Sequence, residues 1–189
     1  MNLPNKLTIL RMVLAPLFLA AALTSLPHRF LLAAILFAAA SVTDFLDGRL
    51  ARKLGQVTVF GQLIDTMADK MLITAALLAF LVLGWCNVWI VMTVLAREFL
   101  ITSLRLISAT QGVVIPANAW GKLKTASQMA FLLLLLLAEL NGSLAWLREA
   151  QFALLSNALL GLTAVFTLLS GVVYVVQARR VINFKNLFS

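Results

Sequence analysis

The stretch SVTDFLDGRLARKLGQVTVFGQLIDTMADKML, residues 41–72, decides how the chain is to be read. It contains Asp44, Asp47, Asp65 and Asp69, which are all the aspartates of the protein, and apolar sequence flanks it on both sides. Carboxylates bordering hydrocarbon are costly unless they are paired, wet or holding a metal. These four come as two pairs, one spaced i,i+3 and the other i,i+4. On a helix either spacing puts both side chains on one face, about one turn apart. Two facing helices can then offer four hard oxygen ligands to divalent cations.

The surrounding composition excludes an ordinary soluble domain. The 189 residues are 62% hydrophobic and 12% charged, with a mean hydropathy of +1.02, where soluble domains are about 25% charged. A helical span needs about 20 residues, so the chain has room for six spans with short links and no separate soluble domain. The expected fold is all-α, a polytopic membrane protein of six transmembrane helices forming one catalytic domain over residues 1–189. The apolar runs and their breakers place the spans at about 7–25, 30–53, 58–84, 87–110, 120–140 and 151–179. Leu26-Pro27-His28, Gly55, Gly84 to Asn87, Gln111 to Asn118 and Asn141-Gly142-Ser143 supply the links. Pro16 is a candidate kink in the first helix. The basic start resembles a signal peptide, but Leu23-Thr24-Ser25 is a poor cleavage site and a second span follows at once, which favours an uncleaved helix.

The net charge of +8 is explained by a membrane before nucleic acid, because no basic or aromatic patch suited to a nucleic acid is evident. With the N-terminus inside, the inner ends carry Lys6, Arg11, Arg49, Arg52, Lys53, Arg105, Lys122, Lys124, Arg179, Arg180 and Lys185, and the outer ends carry Arg29 and Arg148. The positive-inside rule then puts both termini and all four aspartates at the cytoplasmic face of a cell membrane. Cys86 is the single cysteine, so no intrachain disulfide can form, and it reads as a small apolar residue. His28 stands alone and is a poor metal ligand. The sequon at Asn141 lies on a short outer turn and reads as chance.

The aspartate stretch reads Asp44-x-x-Asp47-Gly48-x-x-Ala51-Arg52, then eight residues, then Gly61-x-x-x-Asp65-x-x-x-Asp69. Gly48 and Gly61 allow close approach of a ligand or a neighbouring helix. Ala51 keeps the same face open, and Arg52 can bind phosphate with its planar fork. The aspartates can hold one or two Mg²⁺ or Mn²⁺ ions, which would neutralise a pyrophosphate.

This pattern resembles the signature of the CDP-alcohol phosphotransferase family, with every fixed position present at the family's spacing. The resemblance implies transfer of a phosphatidyl or related group from a CDP-linked donor to an alcohol, with release of CMP. It implies Asp44, Asp47 and Asp65 as metal ligands, and Asp69 as general base with a further contact to metal. It implies that the CDP end of the donor lies against Asp44, Asp47, Gly48, Ala51, Arg52, Gly61 and Asp65. It also implies six membrane helices around a cytoplasm-facing cavity and a homodimer. Asn5-x-x-Thr8-x-x-Arg11, Ala96-Arg97-Glu98-Phe99 through Arg105, and Gly121-Lys122-Leu123-Lys124-Thr125 resemble segments of bacterial phosphatidylglycerophosphate synthases. The resemblance runs from about residue 4 to residue 129, and the last span is recognisable only as apolar helix. It departs at Thr66, where such synthases usually have proline. It implies CDP-diacylglycerol as donor and glycerol 3-phosphate as acceptor, with membrane lipids around the protein.

The residues agree with an acceptor that carries its own phosphate. Arg105, Lys122 and Lys124 sit near the inner ends of the fourth and fifth spans, and with Thr8 and Arg11 they form the expected acceptor-phosphate group. Arg97 and Glu98 are open to a buried ion pair, a helix-packing contact or a ligand contact. Phosphatidylglycerol and inositol phosphate remain alternative acceptors, and a divalent-cation transporter is the alternative outside enzymes. That last reading calls for carboxylates at mid-membrane on broken helices, whereas these lie near one face beside Arg52.

Overall fold

A computed structural model describes residues 3–54, 59–111, 119–140 and 149–181. The described residues form six α-helices and no strands: α1 (Leu3–Leu23), α2 (Arg29–Leu54), α3 (Val59–Val82), α4 (Val88–Thr110), α5 (Ala119–Leu140) and α6 (Glu149–Val181). Each matches an expected segment within a few residues. The largest difference is at the start of α1, which includes Pro4. Proline is tolerated in a first turn because its missing N–H has no intrahelical acceptor there. Further on, α1 runs through Pro16 without ending.

The links follow local chemistry. After α1, His28 takes a positive φ of 66° and Arg29 N–H donates to Leu26 O at 3.2 Å. Gly84, at φ 76°, ends the α3 turn, a conformation that suits glycine. The N–H groups of Trp85 and Cys86 then both return to Phe80 O. Asn87 caps α4 by accepting from Trp89 N–H at 2.9 Å. The Gly55 turn, Gly112 with Pro116 to Asn118, the turn at Asn141 to Ser143, Arg148 and Lys185 lie outside the described residues.

Two helices, over Asn5–Leu23 and Glu149–Arg180, are long and apolar enough to cross a membrane. The others carry more charge or extend beyond the described residues: α3 contains Asp65, Asp69 and Lys70, and α4 contains Arg97, Glu98 and Arg105.

The chain divides into two compact units, Met1–Cys86 with Leu132–Ser156, and Asn87–Phe131 with Asn157–Ser189. In the first, α1 packs against both α2 and α3. Alanines make this close approach possible: Ala15 and Ala22 on α1, Ala33 and Ala40 on α2, and Ala68 and Ala76 on α3 are buried. Phe18 and Phe37 fill the space between α1 and α2, with ring centroids 5.6 Å apart. Trp85 closes one end of this unit against Phe30, Phe80 and Phe152.

In the second unit Ile101, Tyr174 and Ala178 form a core with Leu104 and Ile107 against it. Polar side chains are buried beside it, and Thr163 and Thr167 satisfy their hydroxyls by donating to carbonyls in the preceding turn of α6. Large apolar side chains such as Trp89, Phe99, Leu106 and Leu154 face outward while Arg11, Lys124 and Gln128 are enclosed. This inverts the usual soluble arrangement and suits a hydrocarbon surround.

Candidate active site

Helix α1 carries Asn5, Thr8 and Arg11 along one stripe, and all three are buried, Arg11 completely. Because α1 lies against both α2 and α3, this stripe delivers the Arg11 guanidinium to carboxylates from two helices. Arg11 Nη1 lies 2.8 Å from Asp44 Oδ1 as an ion pair, and it donates to Asp65 Oδ1 at 3.3 Å and to Asp69 Oδ1. Asp44 comes from α2, while Asp65 and Asp69 stand one turn apart on α3. One ligand oxygen from each carboxylate lies within 4.8 Å of the other two.

At that separation each carboxylate pair repels by about 3.5 kcal/mol in an effective dielectric of 20. Among the described residues one guanidinium meets these three carboxylates, which leaves an excess of negative charge. A divalent cation would balance that excess, and a compact set of carboxylate oxygens suits the hard ions Mg²⁺ and Mn²⁺. The donor chemistry therefore fits the expected metal. The carboxylates are a third to a half exposed while the arginine is enclosed, so a ligand can reach the oxygens.

The remaining signature residues are placed by backbone. Asp47, Gly48, Ala51 and Arg52 belong to α2 downstream of Asp44, and their side chains lie outside the described residues. Gly61 lies in the first turn of α3, one turn before Asp65. Thr66, the departure from the usual proline, sits within an unbroken α3.

The expected acceptor-phosphate residues of the second unit take different environments. Arg105 is exposed; its Nε donates to the Tyr174 hydroxyl at 3.3 Å, and its guanidinium lies 5.6 Å from that ring's centroid. Lys124 is enclosed and donates from Nζ to Glu98 Oε1 at 2.8 Å. Lys122 is on α5, with its side chain outside the described residues. Arg97 donates from Nη1 to the same Glu98 oxygen at 2.8 Å, and its Nη2 bonds the Ser170 hydroxyl. Arg97 and Glu98 thus stand in an ion-paired network.

Sequence reasoning did not single out Ser170, Tyr174 or Gln128. Tyr174 is the chain's one tyrosine, and Gln128 follows Lys124 by four residues, so composition and helical spacing held a faint signal for two of them. Cys86, in the link between α3 and α4, is buried, and that burial pushes its thiol up to about 11. A thiol held neutral in this way is no nucleophile.

The sequence profile of the CDP-alcohol phosphatidyltransferases matches residues 1–169. The chain belongs to the CDP-alcohol phosphatidyltransferase family. A CDP-diacylglycerol–glycerol-3-phosphate 3-phosphatidyltransferase of Bacillus subtilis is 41% identical over 165 residues, covering 81% of this chain and 86% of its own length. A probable phosphatidylglycerophosphate synthase of Mycobacterium tuberculosis is 40% identical over 182 residues, covering 95% of this chain and 82% of its own. A CDP-diacylglycerol–glycerol-3-phosphate 3-phosphatidyltransferase of Rickettsia bellii is 35% identical over 173 residues, covering 92% and 93%. Membership extends over α1, where Asn5, Thr8 and Arg11 lie, and over all four aspartates.

Proposed function

We propose that this family member transfers the phosphatidyl group of CDP-diacylglycerol to glycerol 3-phosphate, giving phosphatidylglycerophosphate and CMP. The observation that carries the reading is the convergence of Asp44, Asp65 and Asp69 on Arg11, in a chain whose relatives bear that activity in their names.

The acceptor hydroxyl attacks the phosphorus that bears diacylglycerol. A new P–O bond forms, the P–O bond to CMP breaks, and CMP leaves as its phosphate. Asp69 takes the hydroxyl proton as the attack proceeds. Asp44, Asp47, Asp65 and Asp69 would hold Mg²⁺ or Mn²⁺, which supplies neutralisation of the pyrophosphate charge when bound. Arg52 binds donor phosphate, and Gly48, Ala51 and Gly61 leave room for the nucleotide. Arg105, Lys122 and Lys124, with Thr8 and Arg11, supply the positive charge and donors for the acceptor's phosphate, and Asn5 extends the same polar stripe of α1. Positioning of the two substrates carries much of the rate, since little covalent chemistry falls to the protein.

The lipid donor requires a membrane setting, and the outward apolar side chains agree with one. In this reading all six helices span the membrane, with the charges of α3 and α4 facing a polar interior. The chain is one catalytic domain with its termini and active site in the cytoplasm, and it works as a homodimer. The test is CMP release by purified protein given CDP-diacylglycerol and glycerol 3-phosphate with Mg²⁺ or Mn²⁺. Release that requires the acceptor is expected. Release with phosphatidylglycerol or inositol phosphate alone would overturn the acceptor, and no release with any of them would overturn the reaction.

A further inference from the structure

Glu98 lies in the second unit, apart from the aspartate signature, and its carboxylate is engaged on one oxygen by two cations. Arg97 is in turn tied to α6 through Ser170. Gly171 lets the stem of Arg97 lie close, since a Cβ there would stand 3.3 Å from Arg97 Cγ. Thr102 strengthens the same turn by donating to Glu98 O at 2.7 Å. The result is a fixed chain from α6 through Arg97 and Glu98 to Lys124 on α5.

Two cations against one carboxylate leave one positive charge in this enclosed group. The Lys124 ammonium has three N–H donors, and among the described residues Glu98 takes one. One turn further along α5 is Gln128, fully buried, whose amide nitrogen and oxygen have no partner among the described residues. A buried amide normally has partners, so this face of α5 retains hydrogen-bonding capacity beyond Lys124. A carboxylate would repel a phosphate, so Glu98 is unsuited to bind one itself. It is suited to fix the cation that does.

We propose that Glu98 is a positioning residue: it holds Lys124 in place by one N–H, so that the remaining donors of the ammonium are preorganised for the phosphate of the acceptor. This rests on the acceptor reading given above. Glu98 then controls capture of glycerol 3-phosphate and leaves capture of the lipid donor alone.

The experiment measures kcat and both KM values for Glu98→Gln, Glu98→Asp, Lys124→Met and the Glu98→Gln, Lys124→Met double variant. Glu98→Gln should raise the KM for glycerol 3-phosphate by about 10- to 100-fold, the scale of one charge-assisted hydrogen bond. The KM for CDP-diacylglycerol should stay within about twofold. Glu98→Asp should recover part of the loss. In the Lys124→Met background, Glu98→Gln should change the acceptor KM by less than about twofold, because it acts through Lys124.

Glu98→Gln leaves two buried cations side by side and can fail to fold. Lys124→Met keeps the Arg97–Glu98 pair and should itself raise the acceptor KM by about 10- to 100-fold with the donor KM within about twofold; the double variant removes one charge of each sign, so these two carry the test in that event, and an acceptor KM near wild type in Lys124→Met would overturn the proposal. An unchanged acceptor KM in Glu98→Gln, equal rises in both KM values, or additive effects in the double variant would each overturn the proposal. Wild-type protein that turns over no glycerol 3-phosphate would instead overturn the acceptor reading itself, a different and separable result.

Discussion

Arg11→Met tests the electrostatics of the aspartate cluster. The substitution preserves an unbranched apolar stem within α1 and removes a cation that meets three carboxylates. Removing one partner of a buried ion pair costs about 3–5 kcal/mol. The carboxylates here are a third to a half exposed and can take up water, so the lower end, about 3 kcal/mol, applies. For a chain of this size 1 kcal/mol corresponds to about 2–4 °C, so the variant should melt about 6–12 °C below the wild type in chelator. Divalent metal should then act more strongly on the variant, because the guanidinium no longer competes for the same oxygens. Metal at a hundredfold excess over its dissociation constant stabilises by about 2.7 kcal/mol, enough to recover most of the loss. Thermal unfolding in detergent, with EDTA and with a Mg²⁺ series, reads both quantities. A gap below about 2 °C in EDTA, or a gap that Mg²⁺ leaves unchanged, would refute the reasoning.

Further expectations concern single residues. Asp69→Asn should lower turnover by about 10²–10⁴-fold, the range of general-base catalysis, with melting unchanged or raised because one repelling carboxylate is gone; turnover near wild type would remove Asp69 from the base role. Gly171→Leu should destabilise by about 1–3 kcal/mol through overpacking against the Arg97 stem, while Gly171→Ala should stay within about 1 kcal/mol, because the helix propensity gained offsets the few tenths of an ångström asked of the anchored arginine stem; equal melting of the two would contradict the close approach. With its thiol pushed up to about 11, Cys86 should be about one part in three thousand thiolate at pH 7.5, so maleimide should label folded protein far more slowly than unfolded protein. Asn87→Ala should cost about 1 kcal/mol by removing the α4 cap, read as a lower melting temperature with kcat retained.

The helices were legible because each apolar run meets a breaker with a physical reason, such as the Pro27-His28 turn or Gly84 with its positive φ. The start of α1 was harder to read, since Pro4 marks a boundary in sequence yet fits inside a first turn. The Asp65–Asp69 pair was readable as one helix face from its spacing. What spacing could not convey was which third helix packs against both α2 and α3, and hence that Arg11 meets Asp44, Asp65 and Asp69. The Glu98–Lys124 pair was hidden for the same reason, because the partners are on different helices and only packing selects them. Among the described residues apolarity alone marks two spans: α2 and α5 extend beyond those residues, and in α3 and α4 the residues that would serve the chemistry, Asp65, Asp69, Arg97, Glu98 and Arg105, dilute the apolar run. Here the chemistry obscures the fold signal, as expected where polar function is set into hydrocarbon.

The most direct test of the central claim follows the carbon of the acceptor. Purified protein is given CDP-diacylglycerol and radiolabelled glycerol 3-phosphate, first with Mg²⁺ or Mn²⁺ and then with chelator, and label is counted in the organic extract. The account predicts label in an acidic phospholipid, its loss in chelator and its return with metal. Label that remains in the aqueous phase, with the protein folded and metal present, would contradict it.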